Sequence, residues 1–413
     1  MLLPKIVSVA REGYSLALLR ADLVAATTVA IVALPLSMAI AIASGVGPER
    51  GLYAAIVGGF LISLLGGSRF QIGGPAGAFI VLVATTVATQ GVAGLLLVTA
   101  MSGVLMLIGG ALRLGGLVRL IPHPVVTGFT TGIAVIILAS QLRDVFGLDL
   151  PAEPPAFVPK LVALWHAAGT ISLPALFIAV ASVAAILLIR KHAPRIPALL
   201  VAVAGAALLA RGLALPVETI GTHFGGIPHS LPAPSLPMAS WRHMLELLPL
   251  AASFALLGAI ESLLSAVVAD GMTGRQHRSN SELMAQGVAN IASAIFGGLC
   301  VTGTIARTAT NVRAGARTPV SGMLHALLLL VFMLVAAPLI SYVPLAALAG
   351  VLVTVALNMT EGPALVAMSR NARGDLLVAA TTLLLTLLHD LMMGIAGGTL
   401  LAFALRWLRR QRS

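Results

Sequence analysis

The sequence predicts an all-α membrane protein of fourteen transmembrane segments, and three observations carry that prediction. The first is composition. Of 413 residues, 59% are hydrophobic and only 9% charged, with a mean hydropathy of +1.04. Soluble domains carry about 25% charged residues, so a soluble fold is excluded. The second is the recurrence of apolar runs near 20 residues, the length a helix needs to cross about 30 Å of hydrocarbon. The runs are continuous rather than alternating, which excludes a β-barrel. The third is a pair of small-residue interruptions, RFQIGGPAGAFIVLV from Arg69 and GGLCVTGTIARTATNV from Gly297, one in each half of the chain. Paired broken segments of this kind mark secondary transporters built from inverted repeats.

The fourteen segments are expected at 22–44, 50–66, 75–90, 92–112, 122–145, 170–190, 196–213, 245–269, 281–297, 303–315, 319–338, 341–358, 375–389 and 391–408. The chain ahead of them, MLLPKIVSVAREGYSLALLR, has no cleavable signal pattern and reads as an interfacial amphipathic stretch. Segments 3 and 10 are the short ones. Each is expected to be a half-helix that starts near the bilayer midplane after a short β-strand. Lipid cannot satisfy open backbone groups, so the extended pieces Phe70–Gly73 and Leu299–Val301 are expected to pair with each other, antiparallel. The two largest loops, 146–169 and 214–244, are Pro-rich. The second contains His223, His229 and His243, whose spacing matches no metal-ligand motif. The stretch 362–374 reads as an interfacial helix, and no soluble domain is expected after the last segment.

The net charge of +11 raises the question of a nucleic-acid partner. With the N-terminus inside, nineteen of the 25 Lys and Arg fall on the cytoplasmic side: residues 5, 11, 20, 69, 113, 119, 190, 191, 195, 275, 278, 313, 317, 370, 373, 406, 409, 410 and 412. Five fall outside (Arg50, Arg143, Lys160, Arg211 and Arg242), and Arg307 is left at membrane depth. This is the positive-inside pattern, so no nucleic-acid partner is expected. It places the protein in the inner (plasma) membrane with both termini cytoplasmic. The lone cysteine, Cys300, excludes an intramolecular disulfide.

The polar residues at depth are the candidates for chemistry. A helix that starts inside the membrane aims unpaired N–H groups and a partial positive charge at whatever precedes it. Two such starts facing each other make an anion site. Arg307 lies one turn into the second, where its charge adds to that attraction; pairing with Glu261 is the plainer alternative. Glu261 lies nine residues before Asp270, about 13 Å along a helix and close to the midplane. A carboxylate there costs at least about 2.5–3.5 kcal/mol on insertion scales, which makes it a candidate coupling-ion site. A proton is its natural ligand. With Ser265 at i+4 on the same face, a sodium ion is the alternative. No catalytic signature (HExxH, GxSxG, a cysteine cluster) is present, so neither an enzyme nor a cofactor is expected.

Five blocks of the sequence carry a family resemblance. They are LPLSMAIAIASGVGPERGLYAAIVGG, QIGGPAGAF, GLVRLIPHPVVTGFTTGIAV, AIESLLSAVVADGMTGRQHRSNSELMAQGVANI and GGLCVTGTIARTATNVRAGARTPVSG. Together they resemble the SulP anion transporters, the bacterial branch of the sulfate permease or solute carrier 26-like family, over nearly the whole chain. The resemblance implies two inverted repeats of seven segments. It further implies a core domain (about 22–112 and 245–338), a gate domain (about 122–213 and 341–408), and an elevator-type movement of one against the other. By the same match, Leu36, Ile40, Ala76, Gly77, Ala306 and Arg307 line the substrate site, and Glu261, with Ser265 on its helix face, stands where relatives place an acidic ion-coupling residue. Most relatives carry a cytosolic STAS domain after the last segment; none is expected in this chain.

Three departures bear on substrate. Many relatives have Gln where this chain has Leu36, an aromatic where it has Ile40, and Ser where it has Ala306. The site is therefore expected to be more apolar than one for sulfate or chloride. The expected function is proton-coupled symport of a small carboxylate-type anion, a dicarboxylate or bicarbonate. An uncoupled anion exchanger or channel and a sodium-coupled bicarbonate or sulfate symporter remain the alternatives. A voltage-responsive element, as in some animal members, is a further one. The bilayer is an obligate partner, and a homodimer is compatible with the sequence.

Overall fold

Apolar side chains held at helical spacing leave only one low-energy arrangement in a bilayer, with backbone bonds closed within each helix. A computed structural model describes residues 3–116, 121–150, 153, 154, 156–194, 196–389 and 391–410. Arg119, Arg195 and Arg412 of the charge count lie outside the described residues. In the first half the elements run α1 (Lys5–Glu12), α2 (Leu16–Ala43), α3 (Pro48–Tyr53), α4 (Gly59–Leu65), β1 (Gly73–Gly74), α5 (Ile80–Ala111), α6 (His123–Phe146), α7 (Phe157–His166), α8 (Leu173–His192), α9 (Ala198–Gly212) and α10 (Ile220–Phe224). The second half runs α11 (Trp241–Thr273), α12 (Ser279–Ile295), β2 (Thr302–Gly303), α13 (Ile305–Arg313), α14 (Val320–Ile340), α15 (Leu345–Met359), α16 (Gly362–Asn371), α17 (Arg373–Leu388) and α18 (Leu391–Arg410).

Among the described residues, eight helices are long and apolar enough to cross a membrane, and Ala198–Gly212 and Met392–Leu408 are shorter apolar helices. The protein is thus a largely helical, multi-pass membrane protein. The expected segments 75–90 and 92–112 form one helical run, Gly77–Ala111. That run is broken in direction at Gly91, whose φ of 67° lies outside the helical region. A residue that reaches positive φ without strain lets the chain turn there without a loop. The stretch expected to be interfacial, 362–374, forms α16 and the first residues of α17.

Helix packing falls mainly into two sets, joined by α2, which also packs on α15 and α9. α12 lies along α5, α11 packs on α5 and α13, and α14 packs on α2 and α4. In the other set, α6 packs on α15 and α17, α17 on α18, and α8 on α9 and α15. Small residues permit the closest crossings. A Cβ on Gly103 would stand 2.6 Å from the Gly287 carbonyl oxygen, and one on Gly287 the same distance from that of Gly103. α5 and α12 therefore meet backbone to backbone, as small residues allow in membranes. The outward faces carry exposed Leu, Val and Trp side chains such as Leu173, Leu208, Val335 and Trp165, where lipid rather than water is the solvent.

The two strands pair antiparallel, Gly73 with Gly303 and Gly74 with Thr302. This is the expected pairing, displaced by one to three residues along each break. The displacement has a local cause. Leu299 and Val301 are already satisfied by α12: Ser293 donates to the Leu299 carbonyl, while the Asn290 amide bonds both the N–H (2.9 Å) and the carbonyl (2.8 Å) of Val301. The Phe70 carbonyl and the Ile72 N–H are likewise engaged by Asn311 and Thr308 of α13, while the Ile72 carbonyl accepts from the Thr304 N–H across the breaks at 3.0 Å.

Candidate functional site: two helix starts around Arg307

The breaks bring two helix starts side by side. After β1 the chain passes through Ala76, in extended conformation (φ −118°, ψ 143°), into a short turn at Gly77–Phe79 that continues as α5. After β2 it passes through Thr304 (φ −109°, ψ 126°) into α13. Neither start is capped by a side chain, so the first N–H groups of each remain available.

Arg307 lies between them. It is the largest fully buried side chain, 1% exposed. Its Nη2 donates to the Pro75 carbonyl at 3.3 Å, just ahead of the first helix start, while Nε and Nη1 have no hydrogen-bond partner among the described residues. A Cβ at position 74 would collide with Nη1, so glycine at that place lets the guanidinium reach across from the second break to the first. Burying an unpaired charge is costly, and a guanidinium holding two free donor positions beside two uncapped helix starts has the chemistry of an anion receptor.

The other candidates fall around this point. Leu36, Ile40 and Ala76 are buried at 6%, 4% and 6% exposure in one continuous apolar core. Gly77 is partly exposed and packs toward Ile137 of α6, and Ala306 is exposed. Ser265 donates to Thr308 Oγ1 at 3.0 Å, one residue from Arg307. Glu261, one turn before Ser265 on α11, is 7% exposed. No ion pair among the described residues joins Glu261 to Arg307. The plainer reading, in which the two neutralise each other, is therefore not what this conformation contains.

The polar supports of the site were not singled out from the sequence. Gln71 donates to the Ser262 hydroxyl (2.7 Å) and carbonyl (3.1 Å), tying the first break to α11. Thr302 donates to the Gly258 carbonyl on the same helix at 3.0 Å. Among the described residues, two more carboxylates are fully buried. Asp22 accepts from the N–H groups of Arg317 and Thr318 and from the hydroxyls of Thr318 and Tyr14. Glu282 accepts from the N–H groups of Gly67 and Ser68. Each is a loop-capping acceptor rather than a site residue. The signal available in advance was a polar or acidic residue within a largely apolar run. Nothing in the sequence said which partner each would take.

The fold is that of a multi-pass helical membrane protein in which two uncapped helix starts meet around a buried arginine. Comparison with known proteins gives the same class and then the family. The sequence matches the sulfate permease family over residues 19–382, and the chain belongs to that family. A putative sulfate transporter, YvdB of Bacillus subtilis, is 42% identical over 95% of this chain and 74% of its own length. The bicarbonate transporter BicA of Picosynechococcus is 32% identical over 93% and 69%. The solved transmembrane domain of a cyanobacterial BicA superposes with a TM-score of 0.82 at 30% identity, covering 92% of this chain and 98% of that one. SLC26A9 shares the fold, with a TM-score of 0.88 at 18% identity. The family and these relatives are transporters, not enzymes.

Proposed function

We propose that the protein is a secondary active transporter that moves a small carboxylate-type anion, bicarbonate or a dicarboxylate, together with a proton. One observation carries the reading: Arg307 is wholly buried between two uncapped helix starts with two of its donor positions unpaired. The anion binds there, accepting from the guanidinium and from the N–H groups near Gly77 and Ala306. Leu36, Ile40 and Ala76 form an apolar wall that suits an anion with an uncharged or weakly hydrated side better than sulfate. The relatives' names give two anions, sulfate for YvdB and bicarbonate for BicA, and the apolar wall favours the second.

Glu261 takes the proton, and Ser265 links its helix to the Arg307 helix through Thr308. The buried carboxyl loses its solvation penalty when protonated, so a proton is the smallest change that makes it compatible with its surroundings. In this reading the chain makes fourteen crossings in two inverted repeats. The antiparallel pairing of the two breaks is what a two-fold axis in the membrane plane produces. The helices α2 to α5 and α11 to α14 form a core that slides against a gate of α6 to α9 and α15 to α18, in keeping with the two packing sets. Both termini are cytoplasmic by the charge count, in the inner membrane.

The test uses purified protein in liposomes with labelled bicarbonate, succinate and sulfate under an imposed pH gradient, with and without sodium. An inward proton gradient is expected to drive accumulation of a carboxylate-type anion above equilibrium. Glu261→Gln keeps the shape and hydrogen bonding of the protonated carboxyl but holds no exchangeable proton; it should abolish accumulation while exchange survives. Accumulation that follows sodium and ignores pH moves the coupling role to a metal ion. Accumulation by the Gln variant under a pH gradient removes Glu261 from the role.

A further inference from the structure

A second charged site lies away from the two helix starts, at the end of the bundle on which α1 rests. α1 is held there by backbone and side-chain bonds: Lys5 N–H to the Gly66 carbonyl (2.9 Å), Arg278 Nη1 to the Leu3 carbonyl (2.8 Å), and Arg278 Nη2 to Ser8 Oγ (3.1 Å). So fixed, α1 closes one side of a cavity of about 610 Å³. The other walls come from the end of α11, from the start of the first break at Arg69 and Phe70, and from the loop after α13.

The charge inside is unbalanced. Four titratable groups line the cavity: Arg69, Arg275, Arg317 and Glu12, which leaves an excess of two positive charges. The groups just behind them do not correct this. Lys5 and Arg278 add positive charge, and the field of Arg278, Arg69 and Arg275 adds to burial in pulling the Lys5 pKa down. Asp270 is bonded to His277 at 2.6 Å, and both Asp22 oxygens are committed to the Arg317–Thr318 loop. Glu12 is bonded to Arg69, and that bond is the main cause of its lowered pKa. Its side chain is 54% exposed while that of Arg69 is 10% exposed. The carboxylate is thus a weakly held occupant at the mouth of a well-enclosed arginine, and exposed ion pairs of this kind are easily exchanged.

We propose that this cavity is a binding site for a phosphate monoester, with Arg69, Arg275 and Arg317 receiving the dianion and Glu12 acting as the internal carboxylate it displaces. Arginine forks match phosphate oxygens in geometry as well as charge, and a dianion offsets most of the three guanidinium charges that displacing Glu12 leaves. Val9, Leu18, Phe70, Met272 and Val312 also line the cavity and give the organic part of the ester an apolar wall. The ester can be a lipid headgroup or a soluble phosphate. Either one clamps Arg69, at the head of the first break, to Arg317, beyond the helix of the second.

The proposal stands apart from the transport reading, because its test reads binding and not flux. Thermal unfolding and calorimetric titration are run on the full chain with inorganic phosphate, and separately in nanodiscs of phosphatidylcholine with and without phosphatidic acid. Phosphate, phosphatidic acid or both are expected to stabilise the protein. Which of the two acts identifies the source. Arg275→Gln with Arg317→Gln changes two exposed side chains and should weaken that binding at least about tenfold, since hydrogen bonds to charged groups carry most of it. Glu12→Gln frees Arg69 and should tighten it roughly two- to fivefold, the range set by an exposed ion pair. Stabilisation by neither probe overturns the proposal. So does stabilisation that survives the double substitution, which would place the anion at Arg307, and so does a Glu12→Gln variant that binds no more tightly.

Discussion

The two breaks are alike in backbone and unlike in support. Each has an extended approach, a two-residue strand and an uncapped helix start. The first is bonded largely by side chains that reach across from the second, Asn311, Thr308 and Arg307, whereas the second is held by residues of α3, α11 and α12. Its approach is clasped by Asn290 and Ser293 of α12, and Arg50 of α3 donates to the Gly297 carbonyl at 2.8 Å. Its strand is tied to α11 through Thr302, and its helix carries Arg307. The first break has no charged residue between Phe70 and the start of α5, and its own side-chain tie to α11 is Gln71 on Ser262. The helix it opens turns at Gly91, so its stretch ahead of that turn is short, as is the nine-residue α13. The lesson is that the site is asymmetric: one start supplies backbone dipole alone, the other supplies dipole, charge and a rigid polar mount.

Substitutions can break or sharpen that contrast. The largest loss is expected for Asn290→Ala. It strands both the N–H and the carbonyl of Val301 in a region without water, at a cost of about 2–4 kcal/mol of stability, read as a fall in the unfolding midpoint in detergent. A small effect there would mean that the second break does not rely on its clasp.

Arg307→Ala is next. It should weaken anion binding by about 1.5–3 kcal/mol, the range for hydrogen bonds to a charged group, while the purified protein stays monodisperse on size exclusion. Titration with bicarbonate and succinate measures it. Unchanged affinity would mean that the backbone starts suffice and the two breaks are functionally equal.

The smallest effect is expected for Ser262→Ala, which removes one of two acceptors from Gln71 and should cost about 0.5–1.5 kcal/mol of stability, with anion affinity nearly intact. If Ser262→Ala destabilises as much as Asn290→Ala, the claimed difference in support is wrong.

Much of this was legible in advance, for reasons that differ from residue to residue. The membrane class followed from composition, because a chain with so few charges cannot cover a soluble surface. The breaks were visible as runs of small residues, and their antiparallel pairing followed from the rule that backbone groups must be satisfied inside a bilayer. Arg307 and Glu261 stood out as charges at depth. Their relation did not, since helical spacing says nothing about contacts between α11 and α13. The strand register was misplaced by one to three residues because it depends on Asn290, Ser293, Thr308 and Asn311. Their side chains reach the extended pieces only once α12 and α13 are folded against them.

The sequence by itself determined an all-α membrane protein, its family, the position of both helix starts and the identity of the charges near them. These depend on composition, periodicity and local backbone chemistry, which are properties of neighbours along the chain. Only the tertiary structure decided that Arg307 reaches across to Pro75 and makes no ion pair with Glu261. It also decided that Asp22 and Glu282 cap loops far away in sequence, and that Arg69, Arg275 and Arg317 converge with Glu12 on one cavity. Most of those are meetings of residues more than two hundred positions apart, fixed by which helix faces pack together, and no local pattern encodes them.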